Sequence, residues 1–503
     1  MSARFVELAD DDNVVVVLDD IKAGDELPGL GFAAAQPVAA GHKIASRKIE
    51  PGAPVIKYGQ QIGAASESIQ PGDHVHTHNV SAEAFSRDER GGSVPAALAS
   101  VATPASFDGV IRADGRAATR NYVGIVTTVN CSATVAQHIA RQMEAELRDY
   151  PTIDGIVPIT HGHGCCQGAD EVGMLQLQRT LAGFIEHPNF GAVLVLGLGC
   201  ETNQISLLMQ RSGFEPSDTL RAMTIQGAGG TRATVENAAA QIREMLPAAA
   251  SFERRPLSAG KLTLGLECGG SDGYSGVSAN PALGKAADLL VAHGGTAILS
   301  ETPEIYGAEH LLLNRAVSEE VAERLRERLR WWENYAAVND SKLDNNPSHG
   351  NKAGGLTTIY EKSLGAVAKG GSSPLVGVYR YAERIDKSGF VFMDSPGYDP
   401  MSITGQVASG ANLVAFTTGR GSVFGCKPVP SIKIATNTAM YQRMSDDMDV
   451  NCGRIVDGDA SVETMGREIF DLLLATASGQ KTRSEELGFG DNEFVPWIIG
   501  AQM

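Results

Sequence analysis

The chain has 503 residues, which is too long for one hydrophobic core, so we expect several domains. Its 43% hydrophobic and 20% charged residues are typical of a globular protein, and no apolar run approaches the ~20 residues of a membrane span. The net charge of −17 argues against nucleic acid as a partner, because no basic stripe is available to replace counterions.

The cysteines and the start of the chain predict a cytoplasmic protein. Seven cysteines are an odd number, and their spacing does not form the framework of a small disulfide-rich domain. The first seven residues lack the basic and apolar segments of a signal peptide. We therefore expect reduced thiols, a cytoplasmic location and no membrane partner.

Residues 1–82 are predicted to form a small all-β domain. Residues 13–18 are an apolar run that predicts a strand, and glycine-containing turns recur before strand-like segments. No long amphipathic helix is evident in this part of the chain.

This domain ends in a histidine-rich segment. On a strand, His74, His76 and His78 would point to one face because side chains alternate. Three imidazoles on one face favour a metal or acid–base site, and His42 could add a fourth. The alternative is a solvated edge strand on which the histidines are incidental.

The remaining chain is predicted to be α/β. Residues 83–105 are rich in Ser, Ala, Glu and Arg and indicate a linker. From residue 106 strands alternate with helices, which predicts mainly parallel sheets in one domain at 106–255 and another at 256–503. Within the last domain, residues 308–338 are predicted to form one long helix that is mostly scaffold.

One layout occurs four times in the α/β region: an apolar strand, a cysteine in a small polar turn, and a helix. The cysteines of these turns are Cys131, Cys165 with Cys166, Cys200 and Cys268. In a parallel sheet the four turns would fall along one edge, where open α/β sheets bind ligands. The turn that follows residue 159 also contains His161 and His163. Thiolate and imidazole suit iron or zinc, whereas the alternative is a tight turn with inert structural side chains.

Polar turns in the last domain suit the capture of an acidic substrate. Residues 345–355, 393–397 and 414–433 are mostly glycine-rich, and several carry Lys or Arg. Such side chains bind carboxylates and hydroxyls, although Lys427 and Lys433 could instead belong to a solvated face. No Rossmann or Walker motif is present.

Several of these motifs resemble the altronate and galactarate dehydratase family, particularly its altronate dehydratases. The motifs are residues 41–45, 58–60, 72–79, 114–122, 161–166, 267–272, 346–351 and 424–428. The resemblance covers nearly the whole chain. It implies a small N-terminal β-clip (SAF-like) domain followed by a large α/β catalytic region.

The resemblance also implies the reaction. It is the removal of water from a sugar acid to give a 2-keto-3-deoxy acid, with Fe²⁺ expected as the divalent metal and Mn²⁺ possible. The proton next to a carboxylate is weakly acidic, so a cation must stabilise the enolate-like intermediate, and an acid and a base must flank it. We expect a sugar-acid substrate and a homo-oligomer, most simply a dimer.

These arguments assign candidate roles to individual residues. The acid–base candidates are His163, Glu267, His349 and Lys427. The candidates for substrate binding are Arg116, Arg120, Asn121, Asn130, Ser271, Asp272, Asn351, Arg420 and Lys433. The candidate metal ligands are His74, His76, His161, Cys166, Cys200 and Cys268.

Three alternative functions stay open at this point. The first is a sulfolactate-type sulfo-lyase on the same scaffold, which eliminates sulfite and in a related enzyme carries the two parts on separate subunits. The second is a non-catalytic sugar-acid binding protein. The third is an iron–sulfur dehydratase, although the cysteines lack the close spacing of ferredoxins.

Overall fold

The computed structural model describes residues 3–82 and 100–503, so most of the predicted linker at 83–105 lies outside the described residues. The described chain forms a small β domain followed by two α/β regions, which confirms the predicted fold class.

The first domain is built from short antiparallel strands. They are β1 (Phe5–Val6), β2 (Val14–Val17), β3 (Lys43–Ala45), β4 (Pro54–Lys57), β5 (Gln60–Ala65), β6 (His74–Val75) and β7 (Val80–Ser81). One sheet has the order β1-β2-β3-β6 and the other β4-β5-β7. The four valines of β2 are all buried, because β-branched side chains suit a strand that is covered on both faces.

A small antiparallel sheet marks where the chain enters and leaves the middle domain. β8 (Ser106–Ile111) pairs with β9 (Ala117–Ala118) on one side and with β14 (Arg255–Ser258) on the other. The two ends of the middle domain therefore lie side by side.

The core of the middle domain is a four-stranded parallel sheet. Its strands are β10 (Tyr122–Thr127), β11 (Gly155–Ile159), β12 (Phe190–Gly197) and β13 (Leu220–Thr224), in the order β11-β10-β12-β13. Its helices are α1 (Ala133–Met143), α2 (Val172–Ile185), α3 (Ile205–Ser212) and α4 (Thr231–Ala250). All eight residues of β12 are buried, as expected for an inner strand with helices on both faces.

The third domain contains a seven-stranded parallel sheet. Its strands are β15 (Thr263–Cys268), β16 (Thr296–Leu299), β17 (Leu375–Tyr379), β18 (Gly389–Met393), β19 (Leu413–Thr418), β20 (Ser431–Ala435) and β21 (Val450–Asn451). Their order is β17-β18-β16-β15-β19-β20-β21.

Ten α-helices surround this sheet. They are α5 (Ala279–Ala292), α6 (Glu309–Leu313), α7 (Glu319–Val338), α8 (His349–Ala353), α9 (Ile359–Val367), α10 (Asp399–Ala408), α11 (Thr438–Arg443), α12 (Gly453–Asp457), α13 (Val462–Ala477) and α14 (Arg483–Glu486). Within the described ranges, no helix has both the length and the apolarity to cross a membrane.

The predicted long helix at 308–338 is wrong, because it is interrupted between α6 and α7. Ala316 forms a bridge with Leu375, the first residue of β17, which takes the backbone out of the helix. Ser318 then caps α7 by accepting a hydrogen bond from the Val321 N–H.

The expectation that four cysteine turns share one sheet edge is also wrong. Cys131, Cys166 and Cys200 follow β10, β11 and β12 of the middle sheet, whereas Cys268 ends β15 of the seven-stranded sheet. After β13 the chain leaves the middle domain through β14 and starts a new sheet, so the repeated layout serves two separate edges.

Candidate active site

The seven-stranded sheet reverses its strand order beside β15. From β15 the chain adds β16 and β18 on one side and later β19 and β20 on the other. Open parallel sheets bind ligands at the carboxyl ends of the strands that flank such a switch point. The loops at this position follow Cys268 and Thr418.

A buried thiol and two carboxylates lie together at this edge. Cys268 ends β15, and Glu301 and Glu304 follow β16. One ligand atom from each lies within 4.8 Å of the other two, and all three residues are buried. Across residues 3–82 and 100–503, this is the one group of three or more Cys, His, Asp or Glu side chains that meets so closely.

Glu301 is the least satisfied member of this cluster. Both of its carboxylate oxygens are buried and receive no hydrogen bond from a donor group, and its φ of 69° is in the left-handed region. Lys369 Nζ lies 3.8 Å from the carboxylate. Burial and then the charges of Glu267 and Glu304 raise the pKa of Glu301 well above its usual value. Buried carboxylates normally have partners, so this one fits a site that a cation or a proton completes.

Two buried lysines partly balance the acidic charge. Lys362 Nζ donates to Glu304 Oε1 at 2.6 Å, and Lys369 Nζ lies 2.9 Å from Cys268 Sγ. Burial raises the pKa of the Cys268 thiol, although the Lys369 ammonium opposes this. A metal ion could use the sulfur only after Lys369 moves aside. The two glutamates are therefore the stronger part of the ligand set.

Glu267 and Asp399 bring two further carboxylates to the same place. Glu267 precedes Cys268 and is fully buried, whereas Asp399 begins α10 and is partly exposed. Gly269 allows the Asp399 carboxylate to lie close to the backbone after β15, since a Cβ at this position would lie 2.0 Å from Asp399 Oδ2. Burial and then the charge of Glu267 raise the pKa of Asp399 to about 7. A carboxylate with this pKa is a stronger base than an ordinary aspartate.

Four histidines of the first domain form a second cluster. His42 Nδ1 lies 3.0 Å from His74 Nε2, and the ring centroids of His74 lie 5.3 Å from His76 and 5.6 Å from His78. β6 ends at Val75, so the prediction that one strand carries three of these histidines is wrong. The turn that follows β6 nevertheless brings the rings together.

The histidine cluster has the protonation state of a metal site. Burial, and then the neighbouring cationic and imidazole groups, lower the pKa of His74 to about 3 and of His76 to about 4. Both rings are therefore neutral at pH 7. His76 Nδ1 is buried without a hydrogen-bond partner. Neutral imidazoles with an unused nitrogen fit a divalent transition metal.

The first domain is locked onto the third by buried charges. Lys43 Nζ and Lys57 Nζ each lie 2.9 Å from the Glu361 carboxylate in α9, and all three side chains are fully buried. His42 Nε2 lies 3.3 Å from the Ala353 carbonyl oxygen at the end of α8. The histidine cluster therefore faces the third domain rather than solvent alone.

Five predicted residues lie around the loops of the switch point. Asn351 Nδ2 donates to the Ser271 carbonyl, and Asp272 accepts hydrogen bonds from a threonine and an asparagine that follow β20. Arg420 is exposed beside the loop that follows α8. His349 is exposed at the first position of α8. Asn351 and Asp272 fix the shape of the loops, whereas Arg420 and His349 face solvent.

Arg120 and Asn121 have structural partners instead of a free binding face. Arg120 is buried and donates to both carboxylate oxygens of Glu485 and to three backbone carbonyls. The Asn121 side chain donates to two backbone carbonyls and accepts from Arg112. The prediction that these two residues bind substrate does not fit this geometry.

Three predicted basic residues lie on other surfaces. Lys427 Nζ lies 2.7 Å from Asp491 Oδ1 and lines a separate cavity of about 510 Å³. Lys433 is buried and donates to the Phe424 carbonyl. Arg116 pairs with an aspartate of its own turn. In the described part of the chain, the hydrogen bonds and ion pairs of these side chains do not reach the Cys268 cluster, so the catalytic assignment of Lys427 and the binding assignments of the other two lose their support.

The middle domain holds the remaining predicted residues at its own sheet edge. They are Asn130, His161, His163, Cys166 and Cys200. His161 Nε2 lies 3.0 Å from the Thr127 carbonyl oxygen, and His161 Nδ1 accepts from the His163 N–H. Both ring nitrogens are therefore in use, and His161 has no lone pair free for a metal.

The sequence argument missed five residues of the switch-point cluster. Glu301 and Glu304 follow the apolar run at 296–299, so the strand-and-turn pattern could have identified them without a cysteine. Lys362, Lys369 and Asp399 lie on or beside helices, where a charged residue usually faces solvent. No local signal distinguishes these three from surface residues.

Comparison with known proteins agrees with this three-part organisation. The description "Altronate/galactarate dehydratase SAF domain" matches residues 3–83, and "D-galactarate dehydratase/Altronate hydrolase, second domain" matches 109–250. The description "D-galactarate/Altronate dehydratase, C-terminal" matches 259–502.

Characterised proteins match along nearly the whole length. Altronate dehydratase of Bacillus subtilis (strain 168) is 35% identical over 493 residues, which cover 96% of this chain and 97% of that protein. Galactarate dehydratase (L-threo-forming) of Escherichia coli (strain K12) is 36% identical over 505 residues, covering 97% and 95%. The chain belongs to the altronate/galactarate dehydratase family.

A third relative is one subunit of a sulfo-lyase. The beta subunit of (2R)-sulfolactate sulfo-lyase from Chromohalobacter salexigens is 33% identical over 404 residues, which cover 78% of this chain and 96% of that subunit. In this dehydratase-family chain, the histidine cluster lies in the SAF domain and the Cys268 cluster in the C-terminal part. The two clusters therefore come from different domains that meet across the Glu361 ion pairs.

Proposed function

We propose that this protein is a hydro-lyase that removes water from a sugar acid and releases a 2-keto-3-deoxy acid. Membership of the dehydratase family supports the reaction class. The observation that supports the assignment to the switch point is Glu301, a buried carboxylate that receives no hydrogen bond from a donor group, beside Glu304 and Cys268. The substrate we propose is an altronate-like aldonate or a galactarate-like aldarate.

The donor set at the switch point fits a divalent cation. Glu301 and Glu304 would hold it together with Cys268, and the thiol favours Fe²⁺ over Mn²⁺ because sulfur prefers softer metals. A bound cation would stabilise negative charge on the enolate-like intermediate. His74 and His76 are the second candidate ligand pair, since both rings are neutral and one nitrogen is free.

The side chains at this edge can perform the proton transfers. We assign Asp399 as the base that takes the proton from C2, because its raised pKa increases its basicity. The electrons of the C2–H bond first delocalise into the substrate carboxylate, giving the enolate-like intermediate, and then form the C2–C3 double bond as the C3–oxygen bond breaks. The hydroxyl leaves as water with a proton from the Lys369 ammonium, and the resulting enol tautomerises to the 2-keto acid. Arg420 is placed to bind the substrate carboxylate at the solvent-exposed side.

Metal removal and reconstitution test this proposal. The protein is stripped with a chelator, reloaded anaerobically with Fe²⁺ or Mn²⁺, and assayed for keto acid with altronate, galactarate and other sugar acids. We expect activity only after reloading. Full activity of the metal-free protein would contradict the proposal, as would sulfite release from sulfolactate without keto-acid release from any sugar acid.

A pair of variants tests the position of the metal. Glu301→Gln should lower both metal content and keto-acid release, because it removes the unpartnered carboxylate. Asp288→Asn is a matched control, since Asp288 is also buried but bonds to Ser372 and Ser373 away from the cluster. If His76→Ala loses the metal and Glu301→Gln retains it, the histidine cluster is the metal site instead.

We further propose that the enzyme works as a cytoplasmic homodimer. The unpaired cysteines support a reducing compartment. Light scattering coupled to gel filtration would measure the mass directly, and a value near 52.9 kDa, that of one chain, would contradict the dimer.

A further inference from the structure

The middle domain carries an unusual set of exposed thiols. All seven cysteines are free, and four of them, Cys131, Cys165, Cys166 and Cys200, are exposed. Free cysteine is among the most buried residue types, so four exposed thiols in one place call for an explanation. The other three cysteines are buried in the third domain.

The exposed thiols lie on three neighbouring loops of one sheet edge. Cys131 follows the central strand β10, Cys165 and Cys166 follow β11, and Cys200 follows β12. Adjacent strands of a sheet are about 4.8 Å apart, so each loop starts about one strand spacing from the next. The topology therefore brings one or more thiols from each loop to the same edge.

Hydrogen bonds fix these loops to one another. The Asn130 N–H donates to the His163 carbonyl at 2.9 Å, and the Asn203 N–H donates to the Gly164 carbonyl at 3.0 Å. The buried carboxylate of Glu201 accepts from the Thr128 hydroxyl at 2.7 Å. Each of these bonds involves a residue within one to three positions of an exposed cysteine, so the thiols belong to one connected frame.

The frame has two features of a built ligand site. The turn that carries Cys165 is strained at the next residue, Cys166, whose φ of 66° is rare for a residue with a side chain, and such strain concentrates at functional sites. Gln226 Nε2 lies 3.3 Å from Cys200 Sγ and donates to it. Hydrogen bonds to sulfur are one way in which proteins tune iron–sulfur centres.

We propose that Cys131, Cys165 and Cys200 hold an iron–sulfur cluster at this edge, separate from the metal site of the proposed dehydratase centre. One thiolate comes from each of three adjacent loops. Thiolates are the ligands that iron–sulfur clusters use, and the surrounding loops carry no lysine or arginine that would neutralise them.

No three of these thiols lie within 4.8 Å of one another, so they do not form a ready-made site for a single ion. A single metal ion needs its ligand atoms within a few ångströms of one another. Among the described residues, the Cys268 group is the one whose ligand atoms all lie within 4.8 Å of one another. A multi-iron cluster holds its cysteine sulfurs further apart, because each sulfur binds a different iron. Three thiols on separate loops that follow neighbouring strands therefore suit a cluster with several irons better than one ion.

Cys165 is assigned as the third ligand in preference to Cys166. A Cβ on Gly164 would lie 2.7 Å from Val129 Cα, and the Gly164 carbonyl binds the loop of Cys200. Cys165 therefore directly follows the residue at which all three loops are in contact. The Cys166 carbonyl instead accepts from the Met503 N–H of the C-terminal tail.

Anaerobic reconstitution of the full-length protein with iron, sulfide and dithiothreitol tests the proposal. The readouts are iron and acid-labile sulfide per chain and the visible absorption spectrum, none of which depends on dehydratase activity. Three cysteines leave one iron of a four-iron cluster without a thiolate, so wild-type protein should bind about three to four irons and about four sulfides, with broad absorption in the visible region. Cys131→Ser, Cys165→Ser and Cys200→Ser should each lose the sulfide and the absorption, whereas Cys166→Ser and Cys268→Ser should retain them.

The other outcomes would overturn the proposal. Iron bound without sulfide would indicate a mononuclear site, and unchanged sulfide in Cys131→Ser and Cys200→Ser would place the cluster elsewhere. Loss of sulfide in Cys166→Ser but not in Cys165→Ser would refute the assignment of the third ligand. Because these readouts are independent of keto-acid release, failure of this proposal is distinguishable from failure of the proposed dehydratase function.

Discussion

The middle and third domains share one local layout, but the cysteines are exposed in the first case and buried among charged groups in the second. In both, a cysteine stands at or just after the carboxyl end of a parallel strand and a glycine-containing turn follows. At the third-domain edge, Cys268 is buried among carboxylates and lysines. At the middle-domain edge, four thiols are exposed, and their loops are held by backbone and amide hydrogen bonds.

This contrast shows that burial and neighbouring charges, rather than the strand-and-cysteine pattern, determine which chemistry the side chains at a sheet edge can perform. In the third domain, desolvation raises the pKa of Glu301 and of Asp399, which prepares groups for proton or cation binding. In the middle domain the ligands are soft and accessible, which suits assembly of a cofactor from solution.

The largest expected effect is on the proton-transfer group of the buried edge. Asp399→Asn should lower kcat by about 10²–10⁴-fold, because removing one acid–base group typically costs this much. Bound metal should stay at the wild-type level, since Asp399 is not in the proposed ligand set. The measurements are keto-acid release and metal content of the same sample. A variant that keeps the wild-type kcat would remove Asp399 from the mechanism.

The next largest effect concerns the buried charges that join the two clusters. Glu361→Gln leaves the ammonium groups of Lys43 and Lys57 buried without their carboxylate and should lower the free energy of unfolding by about 3–5 kcal/mol. Glu468→Gln is the control, because its pair with Arg454 is exposed and should contribute less than about 1 kcal/mol. Urea unfolding measures both, and equal losses would contradict the argument.

The same ion pairs predict a dependence on pH. Burial alone would raise the pKa of Glu361, but the two ammonium groups lower it far below the usual range. A carboxylate whose pKa is depressed by folding contributes stability above its unfolded pKa, and this contribution is lost as pH falls towards the folded pKa. Wild-type protein should therefore lose more stability than Glu361→Gln when the pH is lowered from 6 to 3.

Local sequence patterns predicted part of this arrangement. The alternation of apolar runs and turns predicted the α/β class. The strand-and-cysteine layout identified loops at both edges but wrongly assigned them to a single edge. The pattern could not show that Cys268 belongs to a different sheet from Cys131, because strand order depends on tertiary pairing. It also could not show that both ring nitrogens of His161 are occupied, one by the Thr127 carbonyl and the other by the His163 N–H.

The residues that escaped prediction share a physical reason. Lys369 and Asp399 become informative only when packing removes them from water and sets them beside Cys268 and Glu267. In the sequence they are ordinary charged residues at helix ends. The histidine cluster was predicted through strand alternation, yet a turn after β6 produces it. The histidines therefore indicated a cluster correctly, although the strand geometry assumed for them was wrong.

A smaller effect on stability is expected from adding a methyl group at each sheet edge, because one edge is closely packed and the loops of the other are open. Gly269→Ala places a Cβ 2.0 Å from Asp399 Oδ2 and 2.5 Å from Phe416 Cζ, and such overpacking costs about 1–3 kcal/mol. Gly162→Ala in the thiol edge meets no atom within 4 Å and should be neutral or stabilise by up to about 1 kcal/mol. Thermal unfolding measures both. Equal stability of the two variants would refute the difference in packing.

The smallest expected effect concerns the thiols themselves in metal-free protein. Cys200 is exposed and contacts Gln226 through its sulfur, so Cys200→Ser should change the free energy of unfolding by less than about 0.5 kcal/mol. Cys452 is fully buried, and Cys452→Ser puts a hydroxyl into an apolar environment at a cost of about 1–3 kcal/mol. Denaturant titration of the two variants compares them directly. If Cys200→Ser were as destabilising as Cys452→Ser, the middle-domain thiols would have a structural role. That result would contradict our distinction between buried thiols of the core and exposed thiols available to bind a ligand.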